Sequence, residues 1–150
     1  MITTVIITFP VKTLDELKSL AHEMKWQYFE RLVGWVFEEN GFETEVGRVV
    51  KFGKIRRQFD VIARGFKKIF LVECKRWSRP RQGLIKKAVE AHLEKCELYG
   101  KNEGKEIIPL IVTLLEEDEV LYEGVPIVPL EKLNTFINQL EEFKDKIRVL

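Results

Sequence analysis

Two acidic residues and a lysine stand inside apolar runs of this chain, where charged side chains are costly unless they have partners. Asp60 lies in the run 58–63, and Glu73 and Lys75 lie in the run 69–75. Both runs are typical of β-strands, in which side chains alternate between faces, so Glu73 and Lys75 share a face. Two carboxylates on adjacent strands can hold a divalent cation, and a lysine beside it can orient or help to deprotonate a water. These are the parts that cutting a phosphodiester requires.

The net charge of +1 conceals a strong segregation of charge along the chain. Residues 1–47 carry 4 Lys/Arg and 8 Asp/Glu, residues 48–87 carry 14 and 2, and residues 88–150 carry 7 and 14. The two acids of the basic segment are Asp60 and Glu73. Cations around these acids favour contact with phosphates. A solvated basic surface without a ligand is the alternative interpretation.

Length and composition are those of an ordinary globular protein. With 150 residues, of which 45% are hydrophobic and 33% charged, the chain is expected to form one domain over residues 1–150. Cys74 and Cys96 are too few for a disulfide framework, which indicates a reduced, cytoplasmic protein. Because the apolar runs are too short for a membrane span or a signal peptide, we expect no membrane partner.

Apolar periodicity predicts a mixed β-sheet with helices on both faces. The expected elements are a strand at 2–8, one helix or two between about 13 and 39, strands at 42–52, 55–64 and 68–77, a helix at 82–99, strands at 107–115 and 125–128, and a helix at 130–143. Short connections predict an antiparallel meander for the three central strands. The helix that follows predicts that the strand at 107–115 runs parallel to a strand of the meander.

This arrangement resembles the PD-(D/E)xK nuclease superfamily, whose core is a helix, a three-strand meander, a helix and a strand. The matching residues are Asp60 and the tripeptide Glu73-Cys74-Lys75, and Glu30 fits a glutamate often found on the first helix. Within the superfamily the chain is most similar to archaeal Holliday-junction resolvases and type IV restriction endonuclease domains. The resemblance covers about residues 21–115. It implies an α/β, restriction-endonuclease-like core with short additions at both ends.

The resemblance further implies a metal-dependent endonuclease that hydrolyses DNA phosphodiesters, with Mg²⁺ as cofactor and Mn²⁺ as a substitute. Asp60, Glu73 and the backbone carbonyl of Cys74 would bind the metal through oxygen. Lys75 would position or activate the attacking water, and Glu30 would complete a second metal site or hold a metal-bound water. The alternatives are salt bridges between the acids and nearby cations, a phosphate contact for Lys75, and a solvated helix position for Glu30.

Seven cations near the motif are candidates for contacts with the nucleic-acid backbone, which position a duplex without reading its sequence. They are Arg56, Arg57, Arg76, Arg79, Arg81, Lys86 and Lys87. Gln58 and Gln82 are added as polar residues near the site, Gln58 because strand alternation predicts that it shares a face with Asp60. Trp77 could stack on a base. The alternative for Trp77 is a buried tryptophan at the rim of the site.

The sequence therefore predicts DNA as the partner, recognised by its structure or with low sequence specificity. A homodimer would supply two symmetric active sites for two strands. Two other functions remain open at this point. The chain could be a non-catalytic DNA-binding or regulatory module on the same fold, or a nuclease that processes RNA, because contacts to the 2′-hydroxyl leave no mark in the sequence.

Overall fold

The structure, a computed structural model, describes residues 26–77, 82–101, 103–114 and 120–150. In chain order the elements are α1 (Trp26–Glu39), β1 (Glu43–Phe52), β2 (Ile55–Gly65), β3 (Lys68–Lys75), α2 (Gln82–Gly100), β4 (Glu106–Thr113), β5 (Val120–Tyr122), β6 (Val125–Pro129), α3 (Leu130–Asn138), α4 (Leu140–Phe143) and a short 3₁₀ helix (Lys144–Lys146). The strand predicted at 2–8 and the start of the first predicted helix lie outside the described residues.

The six strands form one mixed sheet in the order β1-β2-β3-β4-β6-β5. Tight turns join β1, β2 and β3 into the predicted antiparallel meander. Helix α2 is the crossover that a parallel pair requires, and β4 accordingly pairs parallel with β3. Strand β6 adds a second parallel pair with β4, and β5 closes this edge antiparallel to β6. The predicted fold class is confirmed.

Apolar side chains of the sheet pack against helices on both faces. On β3, Phe70, Val72 and Cys74 point into the core beneath α1 and α3. Leu71, between them in sequence, points to the opposite face, where it packs with Cys96 of α2. Both cysteines are buried free thiols, as predicted. Among the described residues, no helix combines the length and the apolar character needed to cross a membrane.

Two features of the C-terminal third differ from the prediction. Strand β5 was not predicted, because its three residues are too few to produce a periodic pattern. The last predicted helix is interrupted at Gln139, whose φ of −107° and ψ of 13° are not helical. The chain therefore has α3 and α4 in place of one continuous helix.

The β1–β2 hairpin changes faces part-way along its length. Val61 packs in the core beneath α1, whereas the ring of Phe59 packs edge-on against Tyr99 of α2 with centroids 5.5 Å apart. Regular alternation would place residues 59 and 61 on the same face, so β2 twists at Asp60. In β1, Gly47 lies opposite this point with a φ of 65°, a conformation that glycine adopts without steric cost.

Candidate active site

Three carboxyl groups from three elements meet where β2 and β3 separate. The ladder between these strands stops just short of Asp60. Beyond it, Asp60 Oδ2 accepts the backbone N–H of Cys74 at 2.8 Å, so a side chain replaces a backbone partner. Glu73 on β3 hydrogen-bonds to the Asp60 carboxyl, and Glu30 on α1 reaches the same carboxyl. The structure thus brings together the three acids that the sequence predicted.

Burial and mutual repulsion divide the protons unequally among these acids. Burial, the hydrogen bond to Glu73 and the charge of Glu73 raise the pKa of Asp60 to about 8. Burial also raises the pKa of Glu30. The hydrogen bond between Glu30 and Asp60 opposes this increase, and the charge of Glu73 adds to it. In Glu73 the effect of burial is outweighed by the hydrogen bond with Asp60 and the charge of Lys95, so its pKa is lowered. Near neutral pH Asp60 therefore holds a proton beside an ionised Glu73.

Lys95 of α2 is a member of this site that the sequence analysis missed. Its Nζ donates to Glu73 Oε2 at 3.1 Å and to the backbone carbonyl of Gln58 at 3.0 Å. It also lies 5.5 Å from the centroid of the Phe59 ring. The Lys95 and Glu73 side chains are only 14% and 15% exposed, so the ion pair is largely withdrawn from water.

A sequence pattern could have identified Lys95. It follows His92 by three residues and precedes Tyr99 by four, so it lies on the same helical stripe as these two sheet-facing residues. A lysine within a stripe that is buried against a sheet needs an anionic partner.

Lys75 lies on the same face of β3 as Glu73, and its charge contributes to the lowered pKa of Glu73. Its side chain is half-buried. Within a strand, the N–H and C=O of one residue point toward the same neighbouring strand. Because the N–H of Cys74 points to Asp60, the carbonyl of Cys74 also points toward the acids. Within the described residues, no three His, Cys, Asp or Glu side chains already form a metal-binding group.

The seven cations predicted to contact the nucleic-acid backbone differ in exposure and pairing. Arg56 is exposed, but Arg57 is paired with Glu94 of α2 through contacts of 3.0 and 2.9 Å. Lys86 and Lys87 are exposed on α2, Lys86 at 4.0 Å from Glu90. Arg76 is exposed just beyond β3, whereas Arg79 and Arg81 lie outside the described residues.

The remaining candidates are Gln82, Gln58 and Trp77, which differ in their exposure. Gln82 is exposed at the start of α2. The side chain of Gln58 is also exposed. Alternation breaks between residues 59 and 61, so it does not place Gln58 relative to Asp60, and the role of Gln58 stays a prediction. Trp77 is half-buried against the cluster that contains Val89, and its role stays a prediction.

Comparison with known proteins identifies the family of this fold. A family model described as a restriction endonuclease domain (Mrr_cat) matches residues 21–104, which is more than half of the chain. The chain belongs to this restriction endonuclease family. Its membership of the restriction-endonuclease-like superfamily, predicted from Asp60 and Glu73, is thereby confirmed. The domain is of a nuclease family.

Other proteins are similar to this restriction endonuclease domain in sequence or in fold. An uncharacterized protein of Archaeoglobus fulgidus is 31% identical over 119 residues, which are 78% of this chain and 92% of that protein. The small subunit of the heterodimeric restriction endonuclease R.BspD6I superposes with a TM-score of 0.53 and 14% identity, over 89% of this chain and 81% of the subunit. A crystal structure of a protein of unknown function has a TM-score of 0.48 and 22% identity, over 60% of this chain and 47% of that one.

Proposed function

We propose that this restriction endonuclease domain is a metal-dependent endonuclease that hydrolyses DNA phosphodiesters. The observation that carries the proposal is the convergence of Glu30, Asp60 and Glu73 at the fork between β2 and β3. Lys75 lies on the same strand face as Glu73. In a chain of a nuclease family, this combination of buried acids and a lysine favours hydrolysis over binding alone.

The residues present fit a divalent cation with hard oxygen ligands. Asp60 and Glu73 hydrogen-bond to each other, and burial, this hydrogen bond and the charge of Glu73 together raise the pKa of Asp60 to about 8. A cation would replace the proton of this pair and relieve the repulsion. We propose that Asp60, Glu73 and the Cys74 carbonyl hold Mg²⁺, or Mn²⁺ in its place, with waters completing the coordination. When bound, the metal supplies charge stabilisation at the phosphate and a water of lowered pKa.

The other polar residues of the site act on the water and on the ligands. Lys75 would orient the attacking water and stabilise the negative charge that develops on the phosphate. Glu30 enters from the α1 side and would accept a hydrogen bond from a water near Asp60. Lys95 holds Glu73 Oε2, which leaves the other oxygen of this carboxylate available to the metal. We assign Lys95 a positioning role.

The proposed substrate is DNA, in keeping with the restriction endonuclease family. Arg76, Lys86 and Lys87 are exposed, and we propose that they contact its phosphates. One domain of this size with one acidic cluster cuts one strand at a time, so cutting both strands would require a second subunit. A homodimer would provide it.

Cleavage of a substrate panel tests this function. Linear duplex, four-way junction, flap, single-stranded DNA and an RNA hairpin would each be incubated with Mg²⁺, Mn²⁺ or EDTA. We expect metal-dependent cleavage of DNA that the variant Asp60→Ala loses by at least about a thousandfold. Glu103→Ala, which removes an exposed acid, is the matched control and should cleave as the wild type does.

Each other outcome contradicts part of the proposal. Binding of DNA without cleavage, equal with and without metal and retained in Asp60→Ala, would identify a non-catalytic module. Cleavage of RNA alone would replace the substrate class. Cleavage that persists in EDTA would remove the metal from the proposal.

A further inference from the structure

Beyond Asp60, β1 and β2 continue as a two-stranded ribbon. Residues 48–52 of β1 pair with residues 59–55 of β2. Among the described residues, β2 pairs with β3 only from Val61 onward, so no third strand accompanies this part of the hairpin. Five residues per strand give the ribbon a length of about 17 Å. Its base lies at the acidic cluster.

One face of the ribbon is packed against α2. Arg57 makes two hydrogen bonds with Glu94, at 3.0 and 2.9 Å. Phe59 packs against α2, and Val50 and Phe52 are partly buried against the same cluster. These contacts fix the orientation of the ribbon, and they determine which side chains point away from the protein.

The opposite face carries two cross-strand pairs of exposed side chains. Val49 lies opposite Gln58, and Lys51 lies opposite Arg56. Like charges directly opposite each other destabilise an antiparallel pair. Within the described part of the chain, no carboxylate pairs with Lys51 or Arg56. An anion bound at this outward face would relieve the repulsion between Lys51 and Arg56.

The charge and shape of the ribbon indicate which anion it binds. Residues 48–57 contain five Lys/Arg and no Asp/Glu, so they suit a polymer of phosphates. The major groove of B-DNA admits a two-stranded ribbon. Arg and Lys can pair with guanine there, Gln can pair with adenine, and an apolar side chain can contact the methyl group of thymine. Side chains of all these types occur on the outward face, which carries Val49, Lys51, Arg56 and Gln58.

We propose that the outward face of the ribbon lies in the major groove of duplex DNA and reads base edges beside the phosphate that is cut. This inference rests on the proposed function for its choice of DNA. It goes further, because contacts to base edges give sequence preference, whereas contacts to phosphates do not. Arg56 and Gln58 are the main reading residues, Lys51 supports them, and Val49 contributes an apolar contact.

Selection from a duplex library with a randomised central segment tests the proposal. The full chain would select duplexes in EDTA, so that binding is measured without cleavage. We expect an enriched sequence. Arg56→Ala and Gln58→Ala should each weaken binding to the selected duplex about 5-fold to 100-fold and relax the preference at one or two base positions. Binding of both variants to an unselected duplex should change much less.

Lys105→Ala is the matched control, because it removes an exposed cation just before β4, outside the ribbon. It should select the same sequence as the wild type with unchanged affinity. Circular dichroism of every variant would verify that the fold is retained, as expected for exposed side chains.

Three results would overturn the inference. The first is a library that yields no enriched sequence. The second is an equal loss of binding to all duplexes in Arg56→Ala, with a smaller salt dependence, which would make the ribbon a phosphate contact only. The third is a lower molar mass by light scattering for Arg56→Ala than for the wild type, which would assign the face to a second copy of the chain. Because selection needs no cleavage, failure of base reading is distinguishable from failure of the nuclease.

Discussion

At the scale of residues, the acids of the site are held close together before any cation is bound. Burial raises the pKa of both Glu30 and Asp60, while Glu73 is kept ionised by its partners. Such a cluster stores electrostatic repulsion that a divalent cation would relieve. Binding of the metal and loss of a proton are therefore coupled in this site.

The first prediction concerns the proton on Asp60. The pKa of Asp60 lies at about 8, above the ordinary value of 3.8. Between these two pH values the metal-free folded protein therefore keeps a proton that an ordinary aspartate would have lost. A metal ligand must be ionised, so binding of Mg²⁺ at about pH 7 should release roughly one proton, and the apparent affinity should rise with pH up to about 8. Calorimetry in buffers of different ionisation enthalpy measures the released proton. Metal binding whose heat is independent of the buffer would contradict the coupling.

The second prediction concerns Lys95, whose ammonium neutralises Glu73 at 3.1 Å in a largely buried pair. Lys95→Met leaves the charge of Glu73 without this partner, so the free energy of unfolding in EDTA should fall by about 1–3 kcal/mol. Saturating Mg²⁺ should recover most of this loss, because the cation neutralises the same carboxylate. Urea unfolding with and without Mg²⁺ measures both effects.

A purely structural role for Lys95 predicts a different result. In that case the loss of stability would be the same in EDTA and in Mg²⁺, because packing does not depend on the metal. Lys101→Met, which removes an exposed lysine just after α2, is the control and should leave stability unchanged in both conditions.

At the scale of elements, α2 packs on the face of the sheet to which Leu71 points, and it supplies both Lys95 at the acidic cluster and a buried histidine. His92 donates from Nε2 to the carbonyl of Leu71 at 2.7 Å and is fully buried. The carbonyl can only accept, so Nε2 carries a proton, and in the neutral ring Nδ1 is therefore the unprotonated nitrogen. Burial lowers the pKa of His92 to about 4. The docking of α2 therefore depends on an uncharged imidazole.

The third prediction follows from this histidine. Its pKa is 6.5 in the unfolded chain and about 4 in the folded one, so the unfolded state binds more protons in this window and stability falls as pH decreases through it. We expect a loss of about 3 kcal/mol in the free energy of unfolding. His92→Gln retains a donor for Leu71 and should remove this loss. Urea unfolding across the window tests it, and an identical acid dependence in the variant would contradict it.

The elements also show why part of the site was predictable and part was not. Alternation along β3 placed Glu73 and Lys75 on one face correctly, because that strand is regular along its length. Alternation failed in β2, because the twist at Asp60 depends on the pairing with β1 and on Gly47 there. The pairing of Lys95 with Glu73 joins residues 22 positions apart in sequence. Local periodicity identifies the face of each residue, but not the partner that it meets.

At the scale of the whole molecule, charges are compensated at one end of the sheet and exposed at the other. Where β3 and β4 begin, Lys68 pairs with Glu141 at 3.0 Å and Lys144 pairs with Glu106 at 2.6 Å. At the other end residues 48–57 carry five cations and no acid. Arg48 and Arg57 pair with Glu45 and Glu94, whereas Lys51, Lys54 and Arg56 are exposed. The positive field is therefore directed to the end that holds the acidic cluster, which would attract a polyanion to the site.

The fourth prediction is that cations at this end determine the salt dependence of DNA binding. With about four phosphates neutralised, affinity for a duplex in EDTA should fall roughly 100-fold between about 50 and 200 mM salt. The double variant Lys86→Ala with Lys87→Ala should lower the slope of log K against log salt by about two, uniformly across sequences. The matched double variant, Lys101→Ala with Lys105→Ala, changes the net charge equally away from the site. Equal slopes in the two double variants would mean that net charge, and not its placement, governs binding. A smaller slope in the Lys86 and Lys87 variant alone would place the phosphates along the start of α2.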